Sequence, residues 1–96
     1  MKMIMIVYSE AVDEEAMAML KTKVQAEYTK WTGVLGWGQH SEPHLLTHVW
    51  PKANNILMIC VEDQKAGAIM DGVRELRQTL GNEGVKAFSM PVDDIT

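Results

Sequence analysis

Two short runs of the sequence are apolar at every position, and they constrain the fold more than any other feature. The first covers residues 3–7 and the second covers residues 56–61. Apolar runs of this length that contain β-branched residues are typical of β-strands buried on both faces. We therefore predict two strands that each need a covering layer on both sides of their sheet.

Between and beyond these runs, the pattern predicts six elements in the order β α β β α β. Met17, Leu20 and Val24 recur at helical spacing, and a longer stripe continues from Ala66 to Leu80. Asp13 is expected to act as the N-cap of the first helix. The second strand is expected to carry a bulge at a glycine. Strands are predicted at 2–8, 29–38, 56–61 and 85–92, and helices at 13 to about 28 and at 63–80.

This order predicts the α+β, ferredoxin-like fold, a βαββαβ sandwich. Right-handed crossovers place both helices on one face of a four-stranded antiparallel sheet, with the first and third strands at its centre. The other face would then expose a contiguous apolar patch larger than a soluble monomer tolerates. At about 25 cal/mol per Å2, burying a few hundred Å2 would contribute several kcal/mol. We therefore expect a second copy of the chain to cover this face.

The balance of charge excludes one class of function. The chain carries 9 Lys and Arg residues against 13 Asp and Glu residues, a formal net charge of −4. This balance argues against binding of nucleic acid or anionic lipid through bulk positive charge. No apolar run approaches the roughly 20 residues of a membrane-spanning helix, and no signal-peptide cleavage pattern is present. We expect one domain, 1–96, that is cytoplasmic and does not insert into a membrane.

Four short segments, in this order and on matching elements, resemble the P-II nitrogen regulatory family and its P-II-like relatives. The first is similar to the V-x-G-x-G-x-Q run that leads into the mobile T-loop of that family, with one residue fewer before the glutamine. The others are similar to its L-P-K, I-G-D-G-K-I-F and V-E-E-V segments. In this chain the four segments are VLGWGQ at 34–39, WPK at 50–52, LGNEGVKAF at 80–88 and PVDDI at 91–95.

The resemblance implies a non-catalytic regulator. It implies a homotrimer whose sheets line a central barrel, with a small ligand, an adenine nucleotide as the candidate, bound in clefts between subunits. It also implies that the loop 39–54 reaches a target protein, such as a membrane transporter or an enzyme. The ligand-binding residues that it implies in this chain are Gly36, Gly38, Gln39, Gly81, Gly84 and Lys86.

The glycine-rich segment of this chain departs from the family pattern in spacing. Two residues separate Gly81 from Gly84, and Val85 precedes Lys86, whereas the family keeps one residue between its glycines and then a lysine. The extra residue changes which backbone N–H groups converge on a phosphate. Another small anionic ligand in the same cleft is therefore an open alternative to ATP.

Three histidines suggest a second hypothesis, a trimer that binds a divalent metal and resembles the divalent-cation tolerance family. His40, His44 and His48 lie four residues apart, which is roughly 13 Å in an extended chain. A metal site would need a folded loop or one histidine from each of three subunits. A third hypothesis is a small enzyme on a dimeric form of the same sandwich.

The remaining residues with reactive or aromatic side chains do not form a recognisable catalytic set. Trp31, Trp37 and Trp50 are interpreted as packing or interface residues, with base stacking as the alternative. Cys60 lies within an apolar run and is expected to be a buried structural thiol, and as the single cysteine it excludes an internal disulfide. We therefore predict no catalytic residues.

Overall fold

The computed structural model describes residues 1–36, 53–80 and 84–96. A 3-10 turn, Glu10–Val12, connects the first strand to the first helix. The elements are β1 (Lys2–Ser9), α1 (Asp13–Lys23), β2 (Thr29–Val34), β3 (Asn54–Val61), α2 (Asp63–Leu80) and β4 (Val85–Pro91).

The four strands form one antiparallel sheet in the order β2-β3-β1-β4. The two strands that are apolar at every position, β1 and β3, are therefore central neighbours, as predicted. Pro91 is the last residue of the edge strand β4, where a missing backbone N–H costs no ladder hydrogen bond. The ferredoxin-like βαββαβ arrangement is confirmed.

The side chains of the central strands alternate between two environments. In β1, Ile4, Ile6 and Tyr8 are buried and belong to the core cluster that includes residues of both helices. In β3, the corresponding positions are Leu57 and Ile59, which are also fully buried. Because successive strand residues point to opposite faces, the residues between them lie on the face opposite the helices.

The two helices pack closely against each other through a glycine. A Cβ atom added at Gly72 of α2 would lie 2.6 Å from Sδ of Met19 and 3.0 Å from Cγ of Lys23. Both distances are shorter than ordinary van der Waals contacts, so the side chains of Met19 and Lys23 would have to shift to make room for a side chain at this position. Gly72 therefore permits the close approach that lets Ala16 and Leu20 of α1 reach the core.

The first helix is shorter than predicted. It ends at Lys23, and the following residue, Val24, is extended with φ −151° and ψ 152°. Val24 and Ala26 nevertheless pack against the core. The prediction of a helix to about residue 28 was wrong because a β-branched residue can bury its side chain from an extended backbone as well as from a helical stripe.

The second strand also ends earlier than predicted. β2 runs to Val34, and its pairing with β3 shifts register between Trp31 and Val34. Gly33 lies within this irregularity and has φ +68°, a left-handed conformation that favours glycine. The predicted glycine bulge is therefore present, and it lies at Gly33. Residues 37 and 38 of the predicted strand lie outside the described residues.

Candidate functional site

One end of the sheet brings together residues that are distant in sequence. The Ser9 backbone N–H donates to the Gly84 carbonyl oxygen at 2.8 Å, and the Glu10 N–H donates to the Ala53 carbonyl oxygen at 2.9 Å. Asn54 pairs with Ser9 on one side and with Val34 on the other. The described residues that flank 37–52 and 81–83 therefore lie at the same end of the molecule.

Two of the six predicted ligand-binding residues lie at this end of the sheet. Gly36 lies beside β3, because a Cβ atom at its position would be 2.7 Å from Nδ2 of Asn54. Gly84 has φ +99°, a conformation that side chains rarely adopt, and it immediately precedes β4. These two glycines permit conformations or approaches that a larger residue would prevent.

Lys86 lies near the same end, on the sheet face opposite the helices. It is exposed and pairs with Val7 of β1. The predicted ligand-binding residues Gly38, Gln39 and Gly81 lie outside the described residues. The structure thus brings three of the six predicted residues to one region, and their ligand contacts stay a prediction.

The histidine hypothesis concerns residues beyond those described. His40, His44 and His48 all fall in 37–52. Within residues 1–36, 53–80 and 84–96, no group of three or more His, Cys, Asp or Glu side chains could hold a metal ion. The divalent-metal site therefore stays a prediction from the sequence. None of the helices in these ranges is both long and apolar enough to cross a bilayer.

A polar network that the sequence did not reveal lies close to this end of the sheet. A single oxygen, Oδ1 of Asp13, accepts from the Tyr8 hydroxyl at 2.6 Å and from Nδ2 of Asn55 at 3.2 Å. Nζ of Lys30 lies 2.7 Å from the same oxygen. Asp13 is the first residue of α1, so its carboxylate joins α1 to three strands.

This network corrects the predicted role of Asp13. We expected its side chain to cap α1, but the residue that precedes the helix is Val12, which makes no side-chain cap. The capping side chain belongs instead to Ser9, whose Oγ accepts from the Ala11 N–H at 3.3 Å at the start of the 3-10 turn. An aspartate at the start of a helix can either cap that helix or bind side chains of neighbouring strands, and its position in the sequence does not distinguish these two roles.

The network shifts the ionisation of two of its members. The hydrogen bond from Lys30, followed by that from Tyr8, holds the pKa of the Asp13 carboxyl below its ordinary value. Burial raises the pKa of the Tyr8 hydroxyl well above its ordinary value, and the neighbouring Asp13 carboxylate raises it further. Asp13 is therefore a persistent anion with three donors on one oxygen, an arrangement suited to holding structure rather than to abstracting a proton.

Asn55 contributes a buried polar atom to this network. The residue is only 4% exposed, and its Nδ2 donates to Asp13. Its Oδ1 is buried and has no hydrogen-bond partner among the described residues. A buried carbonyl oxygen without a donor costs about 1–3 kcal/mol. The Asn55 side-chain oxygen can therefore accept a further hydrogen bond, and it lies next to Asn54 at the end of the sheet where the candidate residues meet.

The sheet face opposite the helices, here called the open face, is covered by no part of the chain that the structure describes. Trp31 and Phe88 on the two edge strands are 44% and 47% exposed, and Met90 is 38% exposed. The open face carries Met3, Met5, Val7, Trp31, Ile56, Met58, Cys60, Phe88 and Met90. Contiguous apolar surface of this kind marks an interaction site.

Cys60 differs from its predicted environment. It is an exposed free thiol in the single chain rather than a buried one. It follows the fully buried Ile59 and pairs with Met3, so it points to the open face. The prediction failed because an apolar run on both faces does not show which of the two faces the chain itself covers.

A comparison with protein families identifies the chain over its whole length. The family model for nitrogen regulatory protein P-II matches residues 1–96. The chain belongs to the P-II family. No curated protein matches this P-II family member significantly in sequence.

Solved structures with the same fold include several P-II-like proteins. CPII from Thiomonas intermedia K12, bound to ADP and bicarbonate, is 21% identical, with a TM-score of 0.70 and coverage of 95% of this P-II chain and 86% of CPII. A CPII complex with ADP, AMP and bicarbonate is 20% identical with the same TM-score and coverage. A P-II-like signalling protein from Thermus thermophilus is 20% identical, with a TM-score of 0.63 and coverage of 95% and 84%. These similarities show the shared fold.

Proposed function

We propose that this protein is a non-catalytic regulator that senses a small ligand. In this proposal the domain 1–96 assembles as a homotrimer, binds the ligand in clefts between subunits, and signals to a target protein through the loop 39–54. The observation that carries the proposal is the match of the P-II family model to residues 1–96. The target is a membrane transporter or an enzyme, and the protein acts in the cytoplasm.

The open face supports the assembly part of the proposal. Its central residues, such as Met5 and Met58, directly oppose each other across β1 and β3, and Phe88 continues the same row on β4. Water contacts this apolar surface in a single chain. At about 25 cal/mol per Å2, covering a few hundred Å2 per copy would contribute several kcal/mol, enough to drive association.

The candidate residues that meet at one end of the sheet support the proposal that the protein binds a ligand. Gly36 and Gly84 lie where backbone groups can approach a ligand closely, and Lys86 places an ammonium group two residues after Gly84. Backbone N–H groups next to an exposed lysine suit a phosphate or another anion. Gly38, Gln39 and Gly81 complete the proposed site.

The choice of ligand follows from the solved relatives. CPII has been solved with ADP, AMP and bicarbonate. We propose an adenine nucleotide as the ligand of this chain, with bicarbonate as a further candidate. The spacing of Gly81, Gly84 and Lys86 differs from the family pattern. ADP and AMP are therefore candidates of the same rank as ATP.

The assembly is tested by measuring its mass in dilute solution by light scattering. We expect three times the chain mass of 10.8 kDa. Phe88→Glu places a charge on the open face and should dissociate the assembly. Ser89→Glu places the same charge on the same strand but on the opposite face, and should leave the mass unchanged. A wild-type particle of single-chain mass would refute the trimer.

The ligand is tested by calorimetric titration with ATP, ADP, AMP, a cyclic nucleotide and bicarbonate. We expect a nucleotide to bind and Lys86→Met to weaken its binding roughly tenfold or more, because a charge-assisted hydrogen bond contributes about 1.5–3 kcal/mol. Lys21→Met, which removes an exposed lysine from α1, should leave the affinity unchanged. The absence of heat with every ligand would refute the nucleotide sensor while leaving the trimer result intact.

A further inference from the structure

Sulfur-containing residues are segregated between the two faces of the sheet. The helix-covered positions of β1, β3 and β4 contain no sulfur, and their apolar residues are Ile4, Ile6, Tyr8, Leu57, Ile59, Val61, Val85 and Ala87. The intervening positions on the open face carry five sulfur atoms. This sulfur cluster consists of Met3, Met5, Met58, Cys60 and Met90.

The strand register places these sulfur atoms in two adjacent rows. Met3 on the central strand β1 lies directly opposite Cys60 of β3 on one side and Met90 of β4 on the other. Two residues further along β1, Met5 lies opposite Met58. Directly opposed residues have Cβ atoms about 4.5–5.5 Å apart. The unbranched methionine side chains are flexible enough for their sulfur atoms to meet a common point above the sheet.

Burial requirements alone do not explain this segregation. Both faces need apolar side chains, yet most helix-covered strand positions are isoleucine, leucine or valine, while methionine and cysteine predominate in these two rows of the open face. Thioether and thiolate sulfurs are soft ligands, which suit metal ions such as Cu(I) and Zn²⁺ rather than hard cations such as Mg²⁺ and Ca²⁺. The cluster therefore has the donor chemistry of a soft-metal site.

The charge of the cluster indicates a monovalent ion. Cys60 supplies a single negative charge as a thiolate, and the four methionines are neutral. A thiolate with a monovalent cation is neutral overall, whereas a divalent ion would leave net positive charge on an apolar surface, which is costly. Among the described residues, Cys60 belongs to no group of three or more His, Cys, Asp or Glu side chains that would form a harder site.

We propose that Met3, Cys60 and Met90 bind Cu(I), with Met5 and Met58 as an adjoining pair of thioethers. Binding releases the proton of the Cys60 thiol to solvent and changes no oxidation state. The inference depends on the register of a single chain and not on the proposed nucleotide sensor. Since the proposed trimer covers the same face, the ion would lie between copies and should raise the thermal stability of the assembly.

The site is tested by anaerobic titration of the protein with Cu(I) in competition with a chromophoric chelator. We expect the wild-type chain to withdraw Cu(I) from the chelator. Cys60→Ser and Met3→Leu should each weaken binding roughly tenfold or more, because each removes one ligand. Met70→Leu removes a thioether from α2, away from the cluster, and should bind as the wild type does.

A further variant separates this site from the histidines. Replacement of His40, His44 and His48 by alanine should leave Cu(I) affinity unchanged. The proposal is overturned if the wild-type chain takes no Cu(I), if Cys60→Ser and Met3→Leu bind as tightly as the wild type, or if only the histidine variant loses binding. Circular dichroism shows whether each variant is folded. Nucleotide titration of Cys60→Ser should give the wild-type result, so the two proposals fail separately.

Discussion

The Tyr8 hydroxyl donates a hydrogen bond to Oδ1 of Asp13 at 2.6 Å, from the end of β1 to the start of α1. The same oxygen is 2.7 Å from Nζ of Lys30 in β2 and accepts from Asn55 of β3 at 3.2 Å. One carboxylate oxygen therefore holds four elements together beside the proposed ligand cleft.

Loss of the Asp13 carboxylate should destabilise the fold strongly. Asp13→Ala leaves the buried Tyr8 hydroxyl and the Asn55 amide without an acceptor and Lys30 without its ion partner. We expect the free energy of unfolding to fall by about 2–4 kcal/mol, measured by urea denaturation. Asp71→Ala removes an exposed carboxylate whose one ion pair within the described residues is with Arg74 of the same helix, and should have little effect. Equal losses in both variants would contradict the central role of Asp13.

Stability should decrease in acid because of the lowered pKa of Asp13. Its contribution is complete above the unfolded-state pKa of about 3.9 and is lost as the pH falls through the lower folded-state pKa. The exposed Asp63, whose pKa is lowered by hydrogen bonding to the amino terminus, titrates in the same window. As the pH is lowered from about 5, the free energy of unfolding should therefore fall less steeply in Asp13→Asn than in wild type. Parallel curves would contradict the assignment.

The loss of folding stability at alkaline pH should depend on Tyr8. Its pKa is raised in the folded state, so its contribution is complete below the unfolded-state pKa of about 10 and is lost as the pH rises beyond it. Tyr8→Phe removes the hydroxyl. Between roughly pH 10 and 11.5, the free energy of unfolding of this variant should therefore lose the part of its pH dependence that comes from Tyr8. At neutral pH it should cost about 1 kcal/mol. The carboxyl signal of Asp13, followed by NMR, should titrate at higher pH in Tyr8→Phe, because one hydrogen bond to the carboxylate is gone.

Two glycines of α2 should respond oppositely to alanine. A Cβ at Gly67 meets nothing within 4 Å in the described ranges outside its own helical turn, so Gly67→Ala should stabilise the protein by roughly 0.5–1 kcal/mol through helix propensity. Gly72→Ala gains the same propensity but places its Cβ against Met19 and should be destabilising overall by about 1 kcal/mol. Met19→Ala in the Gly72→Ala background should recover part of that loss in a double-mutant cycle. Equal stabilisation by both alanines would show that the helices are not closely packed there.

Gly33 should tolerate few substitutions although it has open space around it. Beyond its two chain neighbours, no atom of the described residues lies within 4 Å of a Cβ at this position, so the constraint is its φ of +68°. Gly33→Val should cost roughly 1–2 kcal/mol or more, and Gly33→Asn less, because asparagine adopts the left-handed conformation more readily. Thermal denaturation of the two variants checks the order. A valine variant as stable as the asparagine variant would contradict the backbone explanation.

The elements predicted best are those whose periodicity is uninterrupted. The stripe from Ala66 to Leu80 predicted α2, and the fully apolar runs predicted that β1 and β3 would be central. The end of α1 was missed because Val24 contributes the same buried side chain from an extended backbone. Periodicity reports which residues are buried and not the backbone conformation that buries them.

The role of the candidate ligand residues stays a prediction. The sequence pointed to Gly36, Gly84 and Lys86, which the structure brings to one end of the sheet, because glycine motifs leave a local signal at strand ends. The Asp13 network left no local signal in the sequence, because Tyr8, Lys30 and Asn55 are distant from one another in sequence. The order of the strands in the sheet brings them together. Cys60 was misplaced for a related reason, because the alternation that directs it outward is hidden in an apolar run.

The central position of β1 has a consequence for synthesis of the chain. Both of its edges form hydrogen-bonded ladders, with Asn54–Val61 on one side and Val85–Pro91 on the other. A ribosome therefore releases this interior strand before either of its neighbours, first β3 and later β4. Until then, an apolar segment with unpaired backbone groups is available to other nascent chains. Translation that stalls before residue 85 should expose this strand to chaperones and to aggregation.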